Sequence, residues 1–273
     1  MSSQTNITPT TFSLYGQTFS SRIFLGTSRY PSPQILVQAL QIAQPAMITA
    51  SLRRQGANPE PISSGFWEII KDLKIPILPN TAGCHRPDEV MQIAHMSREV
   101  FATDWIKLEL IGDDYTLQPD TIQLVPTAQQ LIREGFKVLP YCTEDLVVCQ
   151  RLVDVGCQAI MPWAAPIGTG KGPNNPYALQ VLRERLQVPM IIDAGLGKPS
   201  HACQVMEWGY DAVLLNTAVA LATHPVRMAE AFAQAVLAGR NAFEAGPMNE
   251  HHQAKASTPT LGTPFWHQSE SSK

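Results

Sequence analysis

Pro189-Met-Ile-Ile-Asp193 and Asp211-Ala-Val-Leu-Leu215 are short apolar runs, and between them Pro199 to Trp208 has helical spacing. Strands buried on both faces read as near-continuous apolar runs rather than as alternating ones. A run, a helix and a second run make a βα repeat, and repeated βα units build a parallel sheet. The fold therefore turns on how many such repeats surround this one.

The same alternation extends back to the N-terminus. The preceding runs are Arg22-Ile-Phe-Leu-Gly26, Ala46-Met-Ile-Thr-Ala50, Ile75-Pro-Ile-Leu78, Trp105-Ile-Lys-Leu-Glu-Leu110, Lys137-Val-Leu-Pro140 and Gln158-Ala-Ile-Met161. The helical stretches that follow them are 33–43, 62–73, 87–100, 120–134, 143–155 and 176–186, and 224–238 follows the last run. In the first of these, Ile35, Leu36, Ala39, Leu40 and Ile42 share one side at a 3.6-residue period. Pro87 suits a first helical turn, where its missing N–H costs nothing. Thr143 is the expected N-cap of 143–155. Eight βα units in 273 residues predict a single α/β domain, a closed (β/α)8 TIM barrel. An open doubly wound sheet is the alternative that pattern alone leaves standing.

The barrel domain is expected to span residues 1–248. It includes a short N-terminal hairpin, Phe12 to Phe19, turning at Gly16 and placed to plug the barrel bottom. Residues 249–273 turn polar and Ser/Thr-rich and read as a flexible tail. Phe265 and Trp266 in it are candidates for docking on a neighbour.

Composition removes several classes of function. Hydrophobic residues make up 44% of the chain, enough for a large core and too many for wholesale disorder. Twenty basic residues face twenty-three acidic ones, a net charge of −3. Nucleic-acid binders usually carry a basic excess, so none is expected as a partner. The longest apolar candidate, Ala212 to Ala222, is too short to span a membrane and is interrupted by Asn216 and Thr217. Met1 to Thr11 has neither the basic residues nor the apolar block of a signal peptide. The five cysteines, Cys84, Cys142, Cys149, Cys157 and Cys203, form no C-x-x-C pair. They read as reduced thiols of a cytoplasmic protein. His251 and His252 sit in the polar tail, and no metal site is expected.

In such a barrel, chemistry sits at the C-terminal ends of the strands. Lys107 lies inside an apolar strand, and lysine is seldom buried without a reason. Glu109, two residues on, faces the same side. Burial lowers a lysine pKa and frees an amine able to attack a carbonyl, with a carboxylate at hand to move protons. A plain buried Lys107–Glu109 ion pair explains the pattern equally well. Asp193 ends the seventh run and is followed by Ala194-Gly195-Leu196-Gly197, while Asn216 and Thr217 end the eighth. The loops after strands seven and eight are the usual phosphate site of these barrels. Pro166-Ile-Gly-Thr-Gly-Lys-Gly172 lacks the G-x-x-x-x-G-K-[ST] spacing of an ATP loop and reads as a lid or a second set of backbone donors. Lys171 there is either an anion contact or a solvated side chain. Cys84 has no base in view and reads as a small residue by a turn. Arg53 and Arg54 are either anion contacts or surface pairs.

These residues, taken in order, resemble bacterial thiazole synthases of thiamine biosynthesis. The resemblance runs from about Phe12 to Met248. It rests on Phe24-Leu-Gly-Thr27, Leu52-Arg-Arg54, Leu78-Pro-Asn-Thr-Ala-Gly-Cys84, Trp105-Ile-Lys-Leu-Glu109, Val138-Leu-Pro-Tyr-Cys142, Pro166-Ile-Gly168, Asn175-Pro176, Ile192-Asp-Ala-Gly195 and Leu214-Leu-Asn-Thr217. It implies a transferase that builds the thiazole phosphate of thiamine. The inputs are 1-deoxy-D-xylulose 5-phosphate, dehydroglycine (iminoglycine) from a separate enzyme, and sulfur from the thiocarboxylate of a ubiquitin-like carrier protein. The family's Schiff-base lysine falls on Lys107 and its acid/base carboxylates on Glu109 and Asp193. Its sugar-phosphate contacts fall on Gly168, Ala194, Gly195, Asn216 and Thr217. No metal or organic cofactor is implied. A homo-oligomer, dimer or tetramer, is expected.

The chain departs from the family pattern at Trp163-Ala164-Ala165, where a leucine and a glycine are usual, and at Lys171, usually neutral. An alanine in place of glycine stiffens the loop. Two readings compete with thiazole synthesis. One is another lysine-imine barrel, aldolase-like, acting on a sugar phosphate. The other is a non-catalytic barrel that binds a phosphorylated ligand.

Overall fold

The computed structural model describes residues 11–52, 70, 72–255 and 257. A hairpin of β1 (Phe12–Leu14) and β2 (Gln17–Phe19) opens the chain. The barrel strands follow as β3 (Ile23–Gly26), β4 (Met47–Ser51), β5 (Ile77–Asn80) and β6 (Trp105–Leu108). A small antiparallel pair, β7 (Ile111–Asp113) and β8 (Gln118–Pro119), interrupts the series. It resumes with β9 (Lys137–Cys142), β10 (Met161–Pro162), β11 (Ile191–Asp193) and β12 (Ala212–Leu215). The helices that lie wholly within the described residues are α1 (Pro33–Ala43), α2 (Pro87–Phe101), α3 (Thr121–Arg133), α4 (Leu146–Asp154), α5 (Pro176–Arg185), α6 (Pro199–Glu207), α7 (Thr217–Ala220) and α8 (Pro225–Ala245).

Eight strands pair in parallel in the order β10-β9-β6-β5-β4-β3-β12-β11. The parallel bridges Ile160–Met190 and Trp163–Asp193 join the two ends. The sheet is closed, which excludes the open doubly wound alternative.

Side chains sort by the two-residue period of the strands. Phe24, Met47, Leu78, Trp105, Leu139, Met161, Ile191 and Leu214 fill the barrel interior. Their neighbours Leu25, Ile48, Ile106, Val138, Ile192 and Val213 pack outward against the helices. The N-terminal hairpin closes the bottom of that interior. Phe12 and Phe19 join the inner cluster, and Tyr15 donates its hydroxyl to the Val138 carbonyl at 2.7 Å. The turn needs positive φ at both central residues, and Tyr15 (48°) and Gly16 (75°) supply it.

Three sequence expectations need correction. Asp145 caps α4, not Thr143, because the Asp145 carboxylate accepts the Val148 N–H at 2.9 Å. The last helix runs to Ala245, well past 238. The stretch 111–119, given no element between the fourth run and its helix, folds into the β7–β8 flap, whose turn is held by Asp113 and Thr116. The helix expected over 62–73 lies mostly outside the described residues, as do Arg53, Arg54, Phe265 and Trp266. After Ala245, residues 246–255 form neither helix nor strand. Among the described residues, no helix is long and apolar enough to cross a membrane.

Candidate functional site

The inward period carries straight to the top of the barrel. Trp105 and Ile191 point inside, so two residues on Lys107 and Asp193 do as well. Glu109 continues the same face just past the end of β6. Lys107, Glu109 and Asp193 are each at most 7% exposed. The Lys107 Nζ lies 2.9 Å from Glu109 Oε1 and 2.5 Å from Asp193 Oδ2. Sequence had placed Glu109 beside the lysine; closure of the barrel brings in Asp193 from the far end of the chain.

The electrostatics overturn one expectation. Burial alone would lower the Lys107 pKa, but the carboxylates of Asp193 and Glu109 outweigh it, and the ammonium is held above the ordinary lysine range. The resting amine is therefore protonated rather than partly free. Asp193 is pushed up, by burial first and by Glu109 as well, against the pull of Lys107. A carboxylate raised in this way is a ready proton acceptor for the ammonium beside it. The ring of Tyr141, on β9, lies 5.7 Å from the Lys107 Nζ. Burial and the two carboxylates push its phenol pKa up, so it remains a hydroxyl and donates to the Leu117 carbonyl of the flap.

These groups open into a cavity of about 610 Å³. Lys107, Glu109, Asp193, Gly168, Ala194, Gly195, Asn216 and Thr217 all line it. Two glycine-rich loops form one wall by packing backbone on backbone. A Cβ on Gly195 would stand 2.4 Å from the Ala165 nitrogen, and one on Gly197 would stand 2.3 Å from the Gly170 carbonyl. The Gly172 N–H donates to the Gly195 carbonyl at 2.8 Å, and His201 Nδ1 accepts the Gly197 N–H at 3.2 Å. Gly195→Ala is thus expected to force the loops apart. It should cost about 1–3 kcal/mol of stability and raise the KM for a phosphorylated substrate, checked by urea unfolding and steady-state kinetics.

Asn216 is held at the mouth by donating to Ser28 Oγ at 2.8 Å. It fills space that only a glycine at 26 leaves, since a Cβ there would meet its side chain at 2.6 Å. Ala194 takes φ 69° although it is not glycine. Strain of this kind collects at functional sites.

Thr81 was missed by sequence reasoning. It is fully buried, its hydroxyl donates to the Glu109 carbonyl at 2.7 Å and accepts the Glu109 N–H at 2.8 Å. It thereby continues the β5–β6 pairing past the ladder and fixes the backbone of Glu109. The one available signal was a threonine immediately after a strand, too weak to single out. Thr81→Val leaves both backbone groups unpaired and is expected to cost about 2–4 kcal/mol, whereas Thr81→Ser retains most of the stability in the same denaturation. Cys84 packs into the layer between strands and helices, away from the cavity. Lys171 is exposed. Among the described residues, no group of His, Cys, Asp and Glu is arranged to hold a metal ion.

Comparison with known proteins decides the family. The model described as "Thiazole biosynthesis protein ThiG" matches residues 13–259. The chain belongs to the thiazole synthase family. The match runs past Met248, where the sequence resemblance had stopped. A thiazole synthase of Paracidovorax citrulli is 70% identical over 254 residues, covering 93% of this chain and 94% of that protein. One of Variovorax paradoxus is 71% identical over 256 residues, with the same coverage. The activity is that of the family, a transferase of thiamine biosynthesis. The fold is shared with the Amycolatopsis orientalis BexX/CysO complex, at a TM-score of 0.79 and 28% identity over 88% of this chain and 98% of that one.

Proposed function

We propose that Lys107 is the Schiff-base residue and that Glu109 and Asp193 are its proton carriers. The observation that carries this reading is the Lys107 Nζ lying between two buried carboxylates at the floor of one cavity. When 1-deoxy-D-xylulose 5-phosphate enters, the ammonium gives a proton to Asp193, whose raised pKa lowers the cost of that transfer. The free amine adds to the ketone carbon, and loss of water leaves the imine. Glu109 then takes the proton from the neighbouring carbon, and the carbonyl moves one carbon along the sugar. The carrier thiocarboxylate adds its sulfur to that carbon, its acyl group passes to the carbon's oxygen and the carrier leaves as its carboxylate; dehydroglycine then closes the ring with loss of water and release of the Lys107 amine. The Gly168, Ala194–Gly195 and Asn216–Thr217 loops hold the phosphate, which fixes the reacting carbons over Lys107.

The proposal extends to partners. A neighbour of the same fold is known in complex with CysO, in keeping with a ubiquitin-like sulfur carrier for this chain, with dehydroglycine made by a separate enzyme. The cavity mouth, between the β7–β8 flap and the loop after β3, is where the carrier tail would enter. A cytoplasmic setting suits its five free thiols, and a homo-oligomer suits the class.

The test is to incubate the protein with 1-deoxy-D-xylulose 5-phosphate, reduce with borohydride and map the peptides by mass. A sugar adduct on the Lys107 peptide is the expected result. Folded protein with authentic substrate and no adduct overturns the Schiff-base assignment. Turnover without the thiocarboxylated carrier would favour an aldolase-like reaction instead.

A further inference from the structure

The proposed reaction brings a phosphate ester into a cavity that already holds two carboxylates against one ammonium. Glu109 and Asp193 share Lys107 between them, and Asp114 adds another carboxylate to the wall. A phosphate monoester carries roughly −1.5 to −2 charges at neutral pH. In a low-dielectric cleft, charge of one sign is focused and repels more of the same sign. The glycine-loop N–H groups contribute partial charges only. Neither the carboxylates nor these N–H groups supply a full positive charge at the phosphate end.

Arg29 is placed to supply it. Among the described residues that line the cavity, Arg29 and Lys107 are the lysine and arginine side chains. Lys107 is engaged by its two carboxylates, and His85 stands on the flap side, 3.4 Å from Asp114. Among the described residues, Arg29 has no carboxylate within ion-pair distance. Its loop is pinned just before it, at two consecutive residues. Thr27 donates to the Thr49 carbonyl at 2.8 Å, and Ser28 accepts from Asn216, the residue beside Thr217 on the phosphate wall. Arg29 itself takes φ 73°, a conformation few residues other than Gly and Asn adopt.

We infer that Arg29 is the phosphate-binding cation of this site and makes it specific for the phosphorylated sugar. The inference rests on the sugar-phosphate reading above. A guanidinium presents two parallel donors that match two phosphate oxygens, which a lysine does as a point charge only. The same group could instead receive the anionic end of the carrier, and the test separates the two anions.

Binding is measured by calorimetry for the wild type, Arg29→Met and Arg29→Lys, with 1-deoxy-D-xylulose 5-phosphate and with unphosphorylated 1-deoxy-D-xylulose. KM values for the sugar phosphate and for the thiocarboxylated carrier are measured beside them. Arg29→Met is expected to weaken the sugar phosphate at least about tenfold and to leave the free sugar and the carrier within about twofold. Arg29→Lys should recover part of the loss. An unchanged affinity for the sugar phosphate overturns the inference, and so do equal losses for both sugars or a loss confined to the carrier. Calorimetry needs no imine. A wild type that binds the sugar phosphate through Arg29 but gives no borohydride adduct upholds Arg29 and overturns the Schiff base; one that binds no sugar phosphate overturns both.

Discussion

Lys107→Met is expected to abolish the borohydride-trapped adduct and to lower kcat by on the order of 10⁴-fold or more, because the proposed function makes this residue the covalent centre. The variant also leaves Glu109 and Asp193 buried without their shared cation. Breaking a buried pair from one side typically costs about 3–5 kcal/mol, so the loss of activity must be read on folded protein. The pH dependence provides the control. In the wild type, the raised Lys107 pKa means that its contribution to stability is fully present below the unfolded lysine value. That contribution is lost only as pH rises through the higher folded value, above the ordinary lysine range. In the variant, Asp193, already pushed up by burial, loses the ammonium that pulled it down and is expected to rise further. The penalty of ionising it is absent in acid and grows as pH rises above the ordinary carboxylate range. Urea unfolding at pH 5 and pH 8 should therefore show a stability gap from wild type that widens at pH 8. A gap independent of pH would mean that the three groups are not electrostatically coupled. An adduct on folded Lys107→Met would move the imine to another lysine.

Asp193→Asn is the second large effect. It keeps the shape of the side chain and removes the acceptor closest to the Lys107 Nζ. With one of its two carboxylates gone, Lys107 should fall back toward the ordinary lysine range. Turnover should nevertheless drop by about 10²–10⁴-fold, the usual worth of a positioned acid or base. The combination is diagnostic. Adduct formation in the variant should gain on raising the pH at lower values than in wild type, while the full reaction stays slow. If kcat stays within about threefold of wild type, Asp193 is a structural partner of the lysine and not a proton carrier. Glu109→Gln run in parallel separates the two carboxylates, because Glu109 is the one whose backbone is anchored by Thr81.

Much of this site was legible in the chain. The eight apolar runs identified a parallel sheet of eight βα units, with the closed barrel as the expected form, because parallel strands buried on both faces read as near-continuous apolar runs. A lysine in such a run, with a glutamate two residues on, named the chemistry-bearing face of β6. Asp193 and Asn216–Thr217 were found because strand ends are where barrel chemistry sits. The pKa of Lys107 was misread for a physical reason. Burial has a known sign for a lysine, but the opposing term depends on how many carboxylates come within contact distance. One of those, Asp193, arrives only when β11, the seventh barrel strand, closes the ring against β10.

The sequence by itself determined the order of elements, the faces of the strands and the residue types at their ends, because these follow from local periodicity and composition. The tertiary structure alone decided closure, through bridges such as Trp163–Asp193 that no local pattern encodes. It alone paired Lys107 with Asp193. It also tied Thr81 to Glu109, and brought Ser28 to Asn216 across most of the chain length. Each of these is a contact between distant residues, fixed by how strands register around a closed barrel rather than by what lies beside them in the chain.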